Sequence, residues 1–288
     1  MNNLQRLNKK GITVTDIASQ FWCERQMELN ALKGREYNVA MAKGSAVHKE
    51  LQMQVYRQLD AKPSTYADSM YKAAYENNLS MHSLVGKGIC REFKVYGSIN
   101  GYRIAGKIDE MRIRDGGIEI VENKTTRKGN SLSEASTRPH RMQAMLYIRL
   151  MKDMMSGTYA YENFERSYGI ERLALSEKFR MDLAALGIPE ADASISAVCR
   201  KMFDNARGLP EVRNDAMIRY ISSEGEGREI QSEVRVPYSE ADFSEKIGHA
   251  MGYWNGDREA EPVAKDESWK CGFCRFFGKE CTVWWRGA

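Results

Sequence analysis

Three stretches of the chain, 91–99, 102–114 and 117–124, alternate apolar and polar residues in part and are rich in Val, Ile, Tyr and Phe, so they read as strands. Asn100-Gly101 separates the first two and Asp115-Gly116 the second from the third. Both dipeptides signal two-residue type I′ hairpins, whose central residues need positive φ. A two-residue turn sets the register, which places Glu92 opposite Asp109 and Asp109 opposite Glu122. The period of two then puts Lys124 on the face of Glu122. The pattern predicts a three-stranded meander crossed by a row of three acids, with an amine beside them.

Helical patterns flank this meander. Thr13-Val14-Thr15-Asp16 opens a helix over 13–32 that carries Cys23. A second helix is expected over 41–60, containing Gly44 and His48, and a polar segment, 61–68, leads into more helix. A Met- and Leu-rich helix over 139–156 holds Gln143 and Tyr147, four apart and so on one face. Residues 171–206 also read as helical, 212–236 as a hairpin turning at Glu224-Gly225-Glu226-Gly227, and 250–288 as an aromatic, cysteine-bearing tail. This order predicts an α/β fold rather than a doubly wound sheet. It divides a single domain, 1–288, into a helical part (11–90), a core (91–156), a helical insertion (157–210), a hairpin with a helix (211–249) and the tail (250–288).

Like charges directly opposed across strands are destabilising, so three acids in a row need compensation. A bound Mg²⁺ or Mn²⁺ is one answer, since both take carboxylate oxygens. A solvated charged face, its acids paired to Lys107 and Lys124, is the other. The strand pattern alone leaves both open.

The composition, 42% hydrophobic and 28% charged, is that of a soluble globular protein, with no apolar run long enough to span a bilayer and no signal peptide. An intracellular protein is expected: cytoplasmic, or nuclear or mitochondrial in a eukaryote. The net charge of +4 says little, but its distribution says more. Lys124, Arg127, Lys128, Arg138 and Arg141 face a single acid, Glu134, in a segment suited to a phosphate backbone. Of six cysteines, Cys90 and Cys199 stand alone and read as buried thiols. Cys271-x2-Cys274-x6-Cys281 is a tight cluster to which Cys23 can add a fourth ligand. Four thiolates suit a structural Zn²⁺ or an iron–sulfur cluster, the spacing slightly favouring zinc. Such a site would close almost the whole chain into one loop. The aromatics Phe273, Phe276, Phe277, Trp284 and Trp285 read as packing around it rather than stacking on bases.

In order along the chain, Gly44-x3-His48, Gly106-x2-Asp109, Glu122-x-Lys124 and Gln143-x3-Tyr147 resemble the RecB-type branch of the PD-(D/E)xK nucleases. The C-terminal cysteines with a distant N-terminal one resemble its iron–sulfur members, among them the CRISPR-adaptation nucleases and the AddB nuclease domain. The finer resemblance is to the exonuclease V family. It rests on Val14-Thr15-Asp16, on Trp22-Cys23-Glu24 with Gln26-Met27, and on Lys124-Thr125-Thr126-Arg127. It rests also on Gln143 to Tyr147, on Tyr253 to Glu259, and on Ser268-Trp269-Lys270-Cys271-x2-Cys274-x-Phe276. The resemblance runs from about residue 12 to the end and is weakest across 155–205.

The resemblance implies a restriction-endonuclease-like core, a mixed sheet flanked by helices, with helical additions and a cysteine-clasped tail. It implies His48, Asp109 and Glu122 as metal ligands with the Val121 carbonyl, and Lys124 as the group that orients water or steadies the phosphate. Gln143 and Tyr147 become supports, and Cys23, Cys271, Cys274 and Cys281 the ligands of a [4Fe–4S] cluster. Glu92 enters from the register alone, as an outer or second-metal acid. The implied activity is metal-dependent hydrolysis of single-stranded DNA from an end, by a monomer working with a single-strand-binding protein or helicase in repair or replication. A CRISPR-adaptation nuclease that trims prespacers is an alternative. An inert, cluster-bearing DNA-binding module is another, against which the intact Asp109, Glu122 and Lys124 argue.

Overall fold

The computed structural model describes residues 1–36, 42, 58–126, 132–222 and 229–282. Its strands are β1 (Ile12–Thr13), β2 (Ile89–Ile99), β3 (Tyr102–Arg114), β4 (Gly117–Thr126), β5 (Val212–Ser222) and β6 (Ile230–Pro237). Its helices are α1 (Asn3–Arg6), α2 (Val14–Lys33), α3 (Tyr66–Lys87), α4 (Glu134–Ser156), α5 (Tyr161–Tyr168), α6 (Glu177–Ala185), α7 (Ile195–Arg207) and α8 (Glu240–Asn255). The strands form one six-stranded mixed sheet flanked by helices.

The two hairpin turns are as the dipeptides dictate. Asn100 and Gly101 adopt φ of 50° and 78°, and Asp115 and Gly116 φ of 51° and 77°, positive at both positions as a type I′ turn demands. The turns transmit their register into the ladders. Arg91 faces Glu110 and Phe93 faces Ile108, which sets Glu92 opposite Asp109.

The expected row of three acids is modified at its far end. Pairing of β3 with β4 runs from Arg114/Gly117 to Glu110/Val121 and stops one step before Asp109 and Glu122. Beyond that point β4 continues along β5 in parallel, Glu122 beside Ile218 and Lys124 beside Tyr220. The edge of β3 is taken instead by β1, with Ile12 opposite Ile104 and Thr13 opposite Ala105. Strands β3 and β4 thus fork at the two acids, because each has a different neighbour above that level. Gly106 allows the fork to close: a Cβ there would lie 2.6 Å from Val14 Cγ2 and 2.7 Å from Tyr147 Cε1. The first residue of α2 and the middle of α4 therefore pack directly on β3.

Helix α2 starts where expected. Thr13 Oγ1 accepts the Asp16 N–H (3.0 Å) while the Asp16 carboxylate accepts the Thr13 N–H (2.8 Å), a reciprocal cap. It is interrupted at Cys23, whose backbone is extended (φ −169°, ψ 113°) and whose Sγ accepts the Gln26 N–H at 3.4 Å. Cys23 so caps the second half of the helix. Helix α4 begins at Glu134 rather than at Pro139, because Ser133 Oγ caps it through the Ser136 N–H. The helical stretch expected over 171–206 contains α6 and α7. Gly187, at φ 73°, and Pro189 stop the first, and Ser194 caps the second. The helix expected over 41–60 falls almost wholly outside the described residues, as does the turn at 224–227. Cys90 and Cys199 are buried thiols as expected, and burial pushes each up to about 12.

One buried acid ties the helical additions together. Asp68, at the first turn of α3, is fully buried. It accepts hydrogen bonds from the backbone N–H groups of Ser64, Thr65 and Ser176 (3.1, 3.0 and 2.9 Å) and from the hydroxyls of Ser64 and Ser176. Ser176 is the cap of α6, so one carboxylate joins two helix starts. Burial raises this group, but the hydrogen bonds outweigh burial and hold it well below the usual carboxylate range. Replacing Asp68 by Ala is expected to cost about 2–4 kcal/mol, read by denaturant unfolding, since a cap is lost and buried donors are orphaned. A depressed carboxylate stabilises the fold above its unfolded pKa, so this contribution drains away as pH falls below about 4. The Asp68→Ala protein should therefore show a shallower loss of stability in acid than the parent.

Candidate active site

The fork defines the site. Asp109 and Glu122 are both buried, at 9% and 1% exposure, so neither lies on a solvated sheet face. Asp109 Oδ2 accepts the Asn123 N–H at 2.8 Å and takes the place of the ladder partner that β4 loses there. Glu122 Oε1 accepts from Lys124 Nζ at 2.6 Å. Its other oxygen, Oε2, is buried and has no hydrogen-bond partner among the described residues.

A chain of hydrogen bonds runs from Lys124 into α4. Lys124 Nζ also donates to Gln143 Oε1 (2.8 Å), Gln143 Nε2 donates to the Tyr147 hydroxyl (3.0 Å), and Tyr147 donates to the Lys107 carbonyl (2.7 Å). Burial first, then the carboxylates of Glu122 and Asp109, push the Tyr147 phenol well above its ordinary value, so it stays a donor. The helical spacing of Gln143 and Tyr147 therefore serves to hold one ammonium between a carboxylate and an amide.

Glu92 lies opposite Asp109 as expected, and it is one of few non-glycine residues at positive φ (57°). Its carboxylate is ion-paired with Lys107. The two lysines thus pair two of the three acids, as the charged-face reading expects, but Glu122 is buried. Val121 is a buried strand residue between Glu110 and Met217. His48, Arg127 and Lys128 lie outside the described residues. Arg138 is engaged in an ion pair with Glu267 (2.7 Å), and Arg141 is exposed beside Tyr220.

Lys124 and Gln143 open onto a cleft of about 900 Å³. Sequence reasoning missed His140, which lines it one turn before Gln143. Its Nδ1 lies 3.0 Å from the Tyr220 hydroxyl, and burial, reinforced by the charge of Lys124, pushes it down to about 3. His140 is therefore a neutral wall of the cleft. Its i, i+3 relation to Gln143 was the signal available. Trp22, Trp269 and Phe273 line the same cleft.

Cys23, Cys271, Cys274 and Cys281, from the two ends of the chain, line one small cavity together with Trp22 and Lys270. Burial raises the Cys23 and Cys271 thiols, and the neighbouring thiols Cys274 and Cys281 add to this. Among the described residues no group of three or more His, Cys, Asp or Glu side chains is arranged to hold a metal ion.

A family model described as Exonuclease V, a 5′ deoxyribonuclease, matches residues 1–117, 112–198 and 195–286. The chain belongs to the exonuclease V family. Exonuclease V of Danio rerio is 26% identical over 304 aligned residues, spanning 98% of this chain and 72% of the relative. The crystal structure of SSO0001 aligns with a TM-score of 0.44 at 15% identity, over 93% of this chain and 84% of that one. The family is one of 5′ deoxyribonucleases, with which DNA as this chain's class of substrate is consistent. No helix among the described residues is long and apolar enough to cross a membrane.

Proposed function

We propose that this chain is a metal-dependent single-stranded-DNA exonuclease acting from 5′ ends, with its chemistry at the fork of β3 and β4 on a PD-(D/E)xK core. The observation that carries this reading is the buried Glu122 Oε2, without a hydrogen-bond partner among the described residues, on the strand that parts from Asp109. A buried carboxylate oxygen without a hydrogen bond is costly, and a divalent cation removes that cost. The donors fit such an ion: Asp109 and Glu122 would hold Mg²⁺ or Mn²⁺, joined on the resemblance by His48 and the Val121 carbonyl. When bound, the ion supplies the Lewis acid that generates hydroxide and neutralises charge on the phosphoryl oxygens.

The residues of the chain supply the rest. Lys124 presents an ammonium whose position is set from both sides, by Glu122 and by Gln143, so it offers charge to the phosphate without reorganising. Tyr147 and the Lys107 carbonyl fix Gln143, and His140, uncharged, walls the cleft. Arg141, with Arg127 and Lys128, would follow the strand backbone, while Arg138 serves the tail instead. Glu92, paired with Lys107, shapes the outer edge.

The four cysteines suit a [4Fe–4S] cluster that clasps the tail to α2. Their cavity is walled by the buried Lys270 ammonium, a charge complementary to a thiolate-ligated cluster. Anaerobically purified protein, given 5′-labelled linear or circular single-stranded DNA with Mg²⁺ or EDTA, is expected to release short 5′ products from the linear form only. Cleavage of circles would refute the exonuclease, activity in EDTA the metal, and an iron-free, zinc-containing sample the cluster.

A further inference from the structure

Trp269 and Phe273 are large aromatics left 45% and 79% exposed, whereas Phe276, three residues on, is 3% exposed. Aromatic rings are ordinarily buried or given a partner, so two open ones on the wall of one cleft need an account. Both line the cleft that also contains Lys124, Thr125 and His140. Of the aromatics expected to pack around the cysteines, Phe277 lines their cavity, whereas Phe273 does not.

The wall is rigid. Trp269 meets Trp22 edge-on (centroids 5.6 Å, 86°) and Phe273 likewise (6.3 Å, 81°). The buried Lys270 ammonium lies 4.6 Å from the Trp22 ring and 5.9 Å from the Trp269 ring. It is held by Glu267 at 2.5 Å, and Glu267 also takes Arg138 of α4 at 2.7 Å. The aromatic wall is thereby tied to the helix that carries Gln143. Phe273 projects because it sits inside a tight turn, in which the Cys274 N–H donates to the Cys271 carbonyl (3.0 Å).

We propose that Trp269 and Phe273 are a base-stacking wall that grips unpaired bases of the strand whose phosphate reaches Lys124, and so selects single-stranded over duplex DNA. This rests on the nuclease reading above. Its physical basis is that a flat ring can take the face of any unstacked base, whereas bases within a duplex have their faces already covered. The wall grips without regard to sequence, as an exonuclease requires, while the phosphate is steadied separately by Lys124.

The test uses the full-length protein with Phe273→Ala, Phe273→Leu, Phe273→Tyr and Trp269→Ala, assayed on normal single strands and on strands with a run of abasic sites. Phe273→Ala and Phe273→Leu are expected to raise KM roughly 5- to 100-fold on normal strands, from the measured worth of base–aromatic stacking, and Phe273→Tyr to restore it. On abasic strands the parent should lose the same factor and Phe273→Ala should lose little more. An equal drop for Phe273→Ala on both substrates, or a Leu variant as good as the parent, overturns the wall. A parent protein inactive on every strand would instead sink the nuclease reading, which keeps the two failures distinct.

Discussion

Asp109→Asn is expected to lower the rate of DNA cleavage by about 10³-fold or more, on the order of 4 kcal/mol of transition-state stabilisation, while the fold persists. The asparagine keeps an oxygen for the Asn123 N–H, which donates to Asp109 across the fork from β4. It removes the charge and turns the second oxygen, an acceptor, into an NH2 donor. Glu122→Gln should match it in activity and differ in stability. A neutral amide relieves the buried oxygen that has no hydrogen-bond partner among the described residues but forfeits the ion pair with Lys124. Single-turnover cleavage paired with thermal unfolding separates the two effects. Near-parental cleavage by either variant would remove the fork as the reaction centre.

Lys124→Met is expected to cost about 10²- to 10³-fold in kcat, the range seen when one preorganised donor to a developing charge is lost. Unlike Asp109→Asn, it should also destabilise the protein by about 1–3 kcal/mol, because Glu122 Oε1 and Gln143 Oε1 both lose their donor. Lys124→Arg should not rescue. The site holds a compact ammonium between two acceptors 2.6 and 2.8 Å away, and a planar guanidinium cannot occupy that point. If the Arg variant recovers full activity, Lys124 acts as diffuse charge rather than as a positioned donor.

Much of this site was legible before any tertiary contact was known. Asn100-Gly101 and Asp115-Gly116 are local signals, and the positive φ values they require determine register over the length of a hairpin. Gln143 and Tyr147 share a face through helical periodicity, and the Thr13/Asp16 cap is a four-residue signal. Other features were less legible. Ser176 and Ser194 cap separate helices within the helical stretch expected over 171–206, and neither cap was singled out along the chain. His140 was passed over because a histidine's role depends on what surrounds it, here Tyr220 on a distant strand. Phe273 and Phe276 share one residue type and one short segment, and only the turn between the cysteines decides which is buried.

The sequence by itself determined the hairpin register, the start of α2, the residue types at the site and, through ordered motifs, the family. The tertiary structure alone decided that β3 and β4 part at Asp109 and Glu122, that Lys124 is held between Glu122 and Gln143, and that the four cysteines share one cavity. The physical reason is range. Turn chemistry, capping and periodicity act within a few residues, so they can be read along the chain. The fork arises because Ile12-Thr13 claims the edge of β3 while β5, far along the chain, claims β4, and that competition between distant segments leaves no trace in either strand.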